Sequence, residues 1–453
     1  MTDNVLAPLA ANSIYGGLVS AQGLELDHFE AIKTPVHAWR TDAGSGVKFV
    51  EARGLPIVDV KLRFKAGTAL SDPPSLAALT LYMLDEGSQR FDAIEHAERL
   101  ERLGTVVERQ IRREHTTLSL RSLSAQALLD PAIDLFTELV AKPAFHNAML
   151  EKIKRQLVLH EASRASLSVL RARSEAYHHL FSGHPYGHPQ GSTEQALDAV
   201  TTDDLKAFHQ RAYSANNLEM VIVGDLSRRE AQGIAQRISQ ALPQGWAAAD
   251  LPAAPETTGT TINVEQAGAS NTILLALPMN VPANNPEFLA LVLASEVLGS
   301  GLDSRLMKEL RQRRGLTYDI RSQLVPLSAG GLFAIEWEIA PQHVTGSQDL
   351  VATVLGDFIH QGPTEAELQL ARQQLAGQLL RDVAQNNSLA TLLTQNTHQR
   401  QPDDHLNTYI DRLTALTPEG VREVMQRRFD LTRKVLVSVG PRVDQQPLPA
   451  IDQ

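Results

Sequence analysis

Residues 197–225 read LDAVTTDDLKAFHQRAYSANNLEMVIVGD, and residues 413–441 read LTALTPEGVREVMQRRFDLTRKVLVSVGP. The two segments align without a gap at eight identical positions, which include the glycines Gly224 and Gly440. Most of the other aligned pairs preserve polarity or size. A repeat with so long a period indicates a duplicated domain rather than a solenoid, whose units span roughly 20 to 50 residues.

The predicted secondary structure begins a second time after residues 240–260, which are rich in Pro, Ala and Thr and are typical of an interdomain linker. Each half groups strands with helices without strict alternation, which favours an α+β fold with a largely antiparallel sheet. We therefore predict domains over residues 34–239 and 261–445, an N-terminal arm over 1–33 and a tail over 446–453. Two such halves can enclose a cleft, which is a common place for a ligand site.

Composition narrows the classes of function. The 453-residue chain has a net charge of -10 and no basic stripe, which argues against binding to nucleic acid or to an anionic membrane. It has no cysteine, so disulfides, thiolate nucleophiles and cysteine-ligated metals are excluded. The N-terminus shows no signal-peptide pattern, and no apolar run reaches membrane-spanning length. We expect a cytoplasmic protein by default, or a periplasmic one if a leader has been trimmed.

The stretch GSGLDSRLMKELRQRRGLTY, residues 299–318, contains the strongest candidate site. Its leucines recur on one face of a predicted helix over residues 302–314: Leu302, Leu306 and Leu310. Gly315 is placed to end that helix, and Tyr318 follows on an incoming strand. Arg311 and Tyr318 could then point into one cleft. From spacing alone, Arg311 could equally be a surface cation that suits the helix dipole, and Tyr318 a half-buried strand residue.

Histidine and carboxylate spacing gives no metal site. Neither H-E-x-x-H nor H-x-x-E-H occurs in the chain. The richest histidine cluster lies in a helix end and a Pro/Gly loop, where turn formation explains the composition: His178, His179, His184 and His188. The neighbouring pairs Glu114-His115 and His160-Glu161 lack a third ligand nearby, so we expect each to lie on a solvated polar face.

The run SRLMKELRQRRGLTYDIRSQ, which begins at Ser304, resembles the C-terminal-domain signature of the M16 (pitrilysin-type) zinc metallopeptidases. Members of that family carry an arginine and a tyrosine seven residues apart there, which correspond to Arg311 and Tyr318 in this chain. The resemblance extends to AGTALSDPPSLAALTLYMLDEGS near the start, to the HPYG loop at 184–187, and to the duplicated halves. It implies the M16 peptidase fold, also called LuxS-like, with two homologous domains of a largely antiparallel sheet packed with helices.

The chain departs from this family at the zinc motif. Catalytic members carry H-x-x-E-H on the first helix of the first domain, and here Ala78 and Tyr82 stand at the histidine positions and Leu81 at the glutamate position. An apolar side chain cannot ligate zinc or accept a proton from water. Glu161 lies near the third, carboxylate ligand of the family, but one carboxylate does not hold the metal. We therefore expect no zinc, and no other cofactor, in this chain.

The resemblance implies a division of labour between two subunits. This chain is similar to the inactive subunit of two-subunit M16B peptidases, in which an HxxEH-bearing partner holds the zinc. Arg311 and Tyr318 would bind an extended peptide substrate and stabilise the oxyanion, and the chain would be inactive alone. Two alternatives stay open: a non-catalytic structural subunit of the core-protein type, and a peptide-binding or chaperone-like protein without a peptidase partner.

Overall fold

The computed structural model describes residues 32–188, 194–244 and 247–450. The strands are β1 His37–Arg40, β2 Gly46–Glu51, β3 Ile57–Phe64, β4 Val106–Ile111, β5 Thr116–Leu123, β6 Leu218–Gly224, β7 Thr260–Glu265, β8 Asn271–Met279, β9 Ile320–Val325, β10 Gly331–Ile339 and β11 Val435–Gly440. The helices are α1 Pro74–Leu84, α2 Ala93–Arg102, α3 Gln126–Ala141, α4 Asn147–Ala165, α5 Ser168–Leu180, α6 Glu194–Asp198, α7 Thr202–Ala212, α8 Arg228–Ala241, α9 Phe288–Gly299, α10 Val344–Gln361, α11 Glu365–Val383, α12 Asn386–His398, α13 His405–Thr414 and α14 Pro418–Arg428. In the described ranges, none of the helices combines the length and apolar character needed to cross a bilayer.

The strands form two sheets of matching design. The first sheet has the order β1-β2-β6-β3-β5-β4, and the second has the order β7-β11-β8-β10-β9. One neighbouring pair in each sheet is parallel, β2 with β6 and β7 with β11, and the other described pairs are antiparallel. The predicted α+β fold, with two largely antiparallel sheets packed with helices, is confirmed.

The repeat in the sequence is also a repeat in the structure. Helix α7 and strand β6 recur 216 residues later as α14 and β11, and each strand lies inside its sheet. Both helices begin at a threonine whose side chain accepts a hydrogen bond from a backbone N–H of the first turn, Thr201 in α7 and Thr417 in α14. Such a cap satisfies an amide that has no partner within the helix. The domain boundaries proposed above stay a prediction, and almost all of the proposed arm, part of the linker and the end of the tail lie outside the described residues.

The two halves interlock through a pair of corresponding helices. Helix α5 belongs to the first half but packs on β8 and β11 of the second sheet. Helix α12 belongs to the second half but packs on β3 and β6 of the first sheet. The side chains buried at these contacts are small or aliphatic: Ala172, Ala176 and Leu180 in α5, and Leu389, Ala390 and Leu393 in α12. Each half therefore completes its apolar core with a helix from the other half.

The predicted helix over residues 302–314 is shorter than expected and has unusual geometry. The structure shows a π-helix at Met307–Gln312, preceded by a turn in which Gly301 has φ +72° and the Ser304 hydroxyl donates to the Gly301 carbonyl at 2.8 Å. This turn places Leu302 outside the helix, where 58% of it is exposed, whereas Leu306 and Leu310 are fully buried. The prediction from the leucine spacing is therefore wrong for Leu302, because this residue lies in the turn that precedes the helix.

The predicted stop at Gly315 is confirmed by its backbone, which has φ +60°. An added Cβ would meet no atom within 4 Å at Gly315, or at Gly233 inside α8. Both positions therefore have room for a methyl group, and the two glycines differ in backbone conformation. We expect Gly315→Ala to lower the free energy of unfolding by about 1 kcal/mol, because a left-handed conformation is unfavourable for alanine.

The matched control for Gly315→Ala is Gly233→Ala. Since alanine favours a helix interior, this change should raise the free energy of unfolding by about 0.4 to 1 kcal/mol. Urea denaturation of the two variants measures both values. Equal effects of the same sign would contradict the assigned conformations.

Candidate functional site

Arg311 and Tyr318 are held together by the chain itself. The Arg311 Nη1 atom donates to the backbone carbonyl of Tyr318 at 2.9 Å, and the Gly315 N–H donates to the Arg311 carbonyl at 3.0 Å. Below the tyrosine, the buried Thr317 hydroxyl donates to the Asp319 carbonyl at 2.9 Å. These bonds fix the backbone of Tyr318, while 90% of the residue remains exposed. Tyr318 lies just before β9 rather than within it.

The charge of Arg311 is not neutralised on its own turn. Arg313 and Arg314 both pair with Glu309, at 2.9 and 3.1 Å. Within the described residues, Arg311 has no carboxylate partner, and the Tyr318 hydroxyl has no hydrogen-bond partner in the protein. An arginine without a carboxylate partner is therefore bonded to the backbone of an exposed tyrosine whose hydroxyl is free to donate.

The pair does not line the cavity between the halves. A cavity of about 860 Å³ lies there, bordered by residues of both sheets and of α5 and α12, and neither Arg311 nor Tyr318 lines it. The expectation of a cleft between the halves is met, but the expectation that both side chains point into one cleft is not met by this cavity. The pair is presented outward, which suits contact with another molecule.

The three positions of the degenerate zinc motif lie on α1. Ala78 and Leu81 are buried in the first half, and Tyr82 is half-buried. The guanidinium carbon of Arg109 lies 5.3 Å from the centre of the Tyr82 ring, and Arg109 also forms an ion pair with Asp85. An arginine over an aromatic ring is attracted by the ring electrons. A positive charge therefore occupies the neighbourhood in which a zinc ion would have to be held.

The residues present do not fit a catalytic zinc ion. Glu161, the candidate third ligand, lies on α4 and forms an ion pair with Arg164 at 3.9 Å. In the parts of the chain that the structure describes, no group of three or more histidine or acidic side chains is arranged to hold a metal ion. Within the histidine cluster, the buried His184 is engaged by the Pro252 carbonyl at 2.9 Å and by the Tyr186 N–H at 3.1 Å, which explains it as a structural residue.

A second polar cluster was missed by sequence reasoning. Glu114 was expected on a solvated face, but only 5% of it is exposed. Its carboxylate accepts hydrogen bonds from the Tyr186 hydroxyl and, at 2.8 Å, from the Ser328 N–H, and it lies 2.8 Å from His398 Nε2. The Ala329 N–H in turn donates to the Tyr186 oxygen at 3.1 Å. Because the partners come from both halves, Glu114 joins them through one buried carboxylate.

The pKa values in this cluster reflect its bonds. Burial alone would raise the pKa of Glu114, but the hydrogen bond and charge of His398, with those from Tyr186 and Ser328, outweigh burial and lower it. The pKa of Tyr186 is raised by burial and by the adjacent Glu114 carboxylate, so its hydroxyl stays a donor. Sequence reasoning had little evidence for this cluster, since a glutamate in the turn between two strands gives no sign of burial.

Comparison with known proteins identifies the family. A family model described as the peptidase M16 inactive domain matches residues 199–375. The crystal structure of a peptidase M16 inactive domain from Pseudomonas fluorescens is 34% identical, with a TM-score of 0.88, and the match covers 92% of this chain and 100% of that one. The non-peptidase homolog YmxG of Helicobacter pylori is 26% identical over 73% of this chain and 77% of its own length. An uncharacterized zinc protease of Mycobacterium leprae is 24% identical over 81% and 83%. The chain therefore belongs to the M16 peptidase family, and to its inactive-domain type.

Proposed function

We propose that this chain is the non-metal subunit of a heteromeric M16-type zinc endopeptidase. In this assembly a partner subunit with an intact H-x-x-E-H motif holds the zinc, and the chain described here supplies Arg311 and Tyr318. The substrates are unfolded peptides bound in extended form. The observation that carries the proposal is the outward presentation of Tyr318, 90% exposed and fixed at its backbone by Arg311.

The chemistry of the two side chains suits peptide hydrolysis. Attack on the scissile carbonyl places negative charge on its oxygen, and preorganised donors at that position lower the barrier. The Tyr318 hydroxyl can donate one such hydrogen bond. Arg311 holds the backbone of Tyr318 and adds a permanent positive charge beside the substrate. Neither residue generates a nucleophile, so the pair needs a metal centre that this chain does not provide.

The comparisons support the assignment as an inactive subunit, and they do not identify a partner. The printed description of the matched family is an inactive domain, and one relative is named a non-peptidase homolog. Other relatives of similar identity are named zinc proteases. The relatives thus include chains named as proteases and a chain named as a non-peptidase, the two types of subunit that the proposed assembly needs.

The test is to purify the chain from its native source and to measure partner, zinc and activity together. We expect a second subunit of similar size to copurify, and the complex to contain zinc and cleave an unstructured peptide. The chain produced alone should contain substoichiometric zinc by elemental analysis and should not cleave the same peptide, because Ala78, Leu81 and Tyr82 offer no ligand set. Tightly bound stoichiometric zinc, or proteolysis by the lone chain, would overturn the proposal.

A further inference from the structure

The cavity between the two halves has a charge opposite to that of the protein. The whole chain carries a net charge of -10. The walls of this cavity of about 860 Å³ contain seven arginines and four glutamates, which gives a local charge of +3 with the histidines neutral. Walls of one sign in a recess concentrate the field and attract ligands of the opposite sign. The cavity is therefore an electropositive recess in an acidic protein.

Three of the four glutamates already have partners. Glu336 receives a two-pronged contact from Arg173, at 2.7 and 2.9 Å, and a further one from Arg321 at 2.8 Å. Glu161 pairs with Arg164. Glu114 is held by the cluster described above, which leaves only one lining glutamate without a partner in the described residues.

Four lining arginines have no carboxylate partner within the described ranges: Arg63, Arg112, Arg113 and Arg171. They come from β3, from the turn between β4 and β5, and from α5. The cavity walls therefore keep a surplus of guanidinium groups that the protein does not neutralise.

Two of these arginines are buried, and burial makes their positive charge energetically unfavourable. Arg113 is 7% exposed, its guanidinium carbon lies 3.7 Å from the centre of the Tyr177 ring, and its Nε has no hydrogen-bond partner. Arg63 is 8% exposed; its Nη1 donates to the Thr394 carbonyl at 2.7 Å, and its Nε also lacks a partner. Burial lowers the pKa of both groups to about 10, so both are charged at neutral pH. Glu219 and Glu114 offset the effect of burial on Arg63 only in part and form no ion pair with it, and no carboxylate offsets that effect at Arg113. A buried charge that lacks a paired counter-charge is destabilising until one is supplied.

We propose that the cavity between the halves binds a small-molecule polyanion through Arg63, Arg112 and Arg113, with carboxylate or phosphate groups as the recognised chemistry. Guanidinium groups bind both kinds of oxyanion with paired hydrogen bonds. The contact of Arg173 with Glu336 shows that geometry at the cavity wall. The volume lies within the range of small-molecule sites, roughly 300 to 1,000 Å³.

The site is independent of the proposed peptidase role, since Arg311 and Tyr318 do not line the cavity. Its walls come from both halves, and the three arginines assigned to the anion come from the first half. A ligand that binds only the folded state raises its stability by mass action. Binding should therefore appear both as heat in calorimetry and as a rise in melting temperature.

The experiment uses the full chain with two probes, citrate for carboxylates and tripolyphosphate for phosphates, each against sodium chloride at equal ionic strength. We expect at least one probe to bind with saturation and to raise the melting temperature. Arg113→Gln should weaken binding by about tenfold or more, because one charge-assisted contact is lost. The same variant should melt no lower than the wild type without ligand, since an unpaired buried charge has been removed.

Two further variants keep the test decisive. Arg112→Gln changes an exposed residue that lines the cavity, and its affinity for the probes is the test if Arg113→Gln does not fold. Arg99→Gln, an exposed arginine of α2 outside the cavity, is the matched control and should bind as the wild type does. Binding of citrate alone assigns a carboxylate ligand, and binding of tripolyphosphate alone assigns a phosphate ligand. Absence of binding by both, or equal affinity in the wild type and the cavity variants, would overturn the proposal.

Discussion

Tyr318→Phe should lower kcat of the assembled peptidase complex by about 10²- to 10³-fold, the effect measured when one oxyanion donor is removed elsewhere. The change deletes a single hydroxyl from a side chain that is 90% exposed, so it should not alter folding. Because the hydroxyl would act on the developing negative charge, the loss should fall on kcat more than on KM. Steady-state kinetics on a peptide substrate give both constants.

Arg311→Ala should also lower turnover, because the guanidinium that holds the Tyr318 carbonyl at 2.9 Å is removed. Arg313→Ala is the matched control, since Arg313 lies on the same turn but is paired with Glu309. Size-exclusion chromatography should show intact complexes for all three variants. Wild-type turnover in both Tyr318→Phe and Arg311→Ala would refute the assigned roles and favour a purely structural subunit.

Glu114→Ala should lower the free energy of unfolding by about 3 to 5 kcal/mol, the usual cost of removing one partner from a buried charged cluster. The change leaves the Tyr186 hydroxyl, the Ser328 N–H and His398 without their buried acceptor. Glu98→Ala removes an exposed carboxylate from an i,i+4 pair on α2 and should change stability by less than about 0.5 kcal/mol. Urea denaturation compares the two. Similar small losses would show that the Glu114 cluster does not join the halves.

The stability contributed by Glu114 should depend on pH in one direction. Its pKa in the folded protein lies below the ordinary value of 4.5, so its ionised form stabilises the fold at neutral pH. That contribution begins to fall below pH 4.5 and is lost as the pH passes the lower folded-state pKa. The stability difference between the wild type and Glu114→Gln should therefore shrink as the pH is lowered below about 4.5. A constant difference would contradict the assigned shift.

Local patterns were sufficient for much of this fold. The alignment of residues 197–225 with 413–441 predicted a duplicated domain, and a helix and a strand appear in each segment with the same 216-residue offset. The stop predicted at Gly315 is present, and the structure adds caps at the aligned residues Thr201 and Thr417, because caps and left-handed turns depend on neighbouring residues alone. The resemblance in residues 304–323 pointed to the family that the comparisons then identified.

Contacts between distant residues lay beyond such patterns. The sequence does not show that α5 and α12 exchange between the sheets, or that this exchange buries Glu114 and surrounds Arg63 and Arg113 with a cavity. Residues hundreds of positions apart decide whether a charged side chain meets water, a partner or neither. Strand runs, the stop at Gly315 and the missing zinc ligands could therefore be read from the chain itself, whereas the burial and charge pairing of Glu114, Arg63 and Arg113 arise only when the two halves pack.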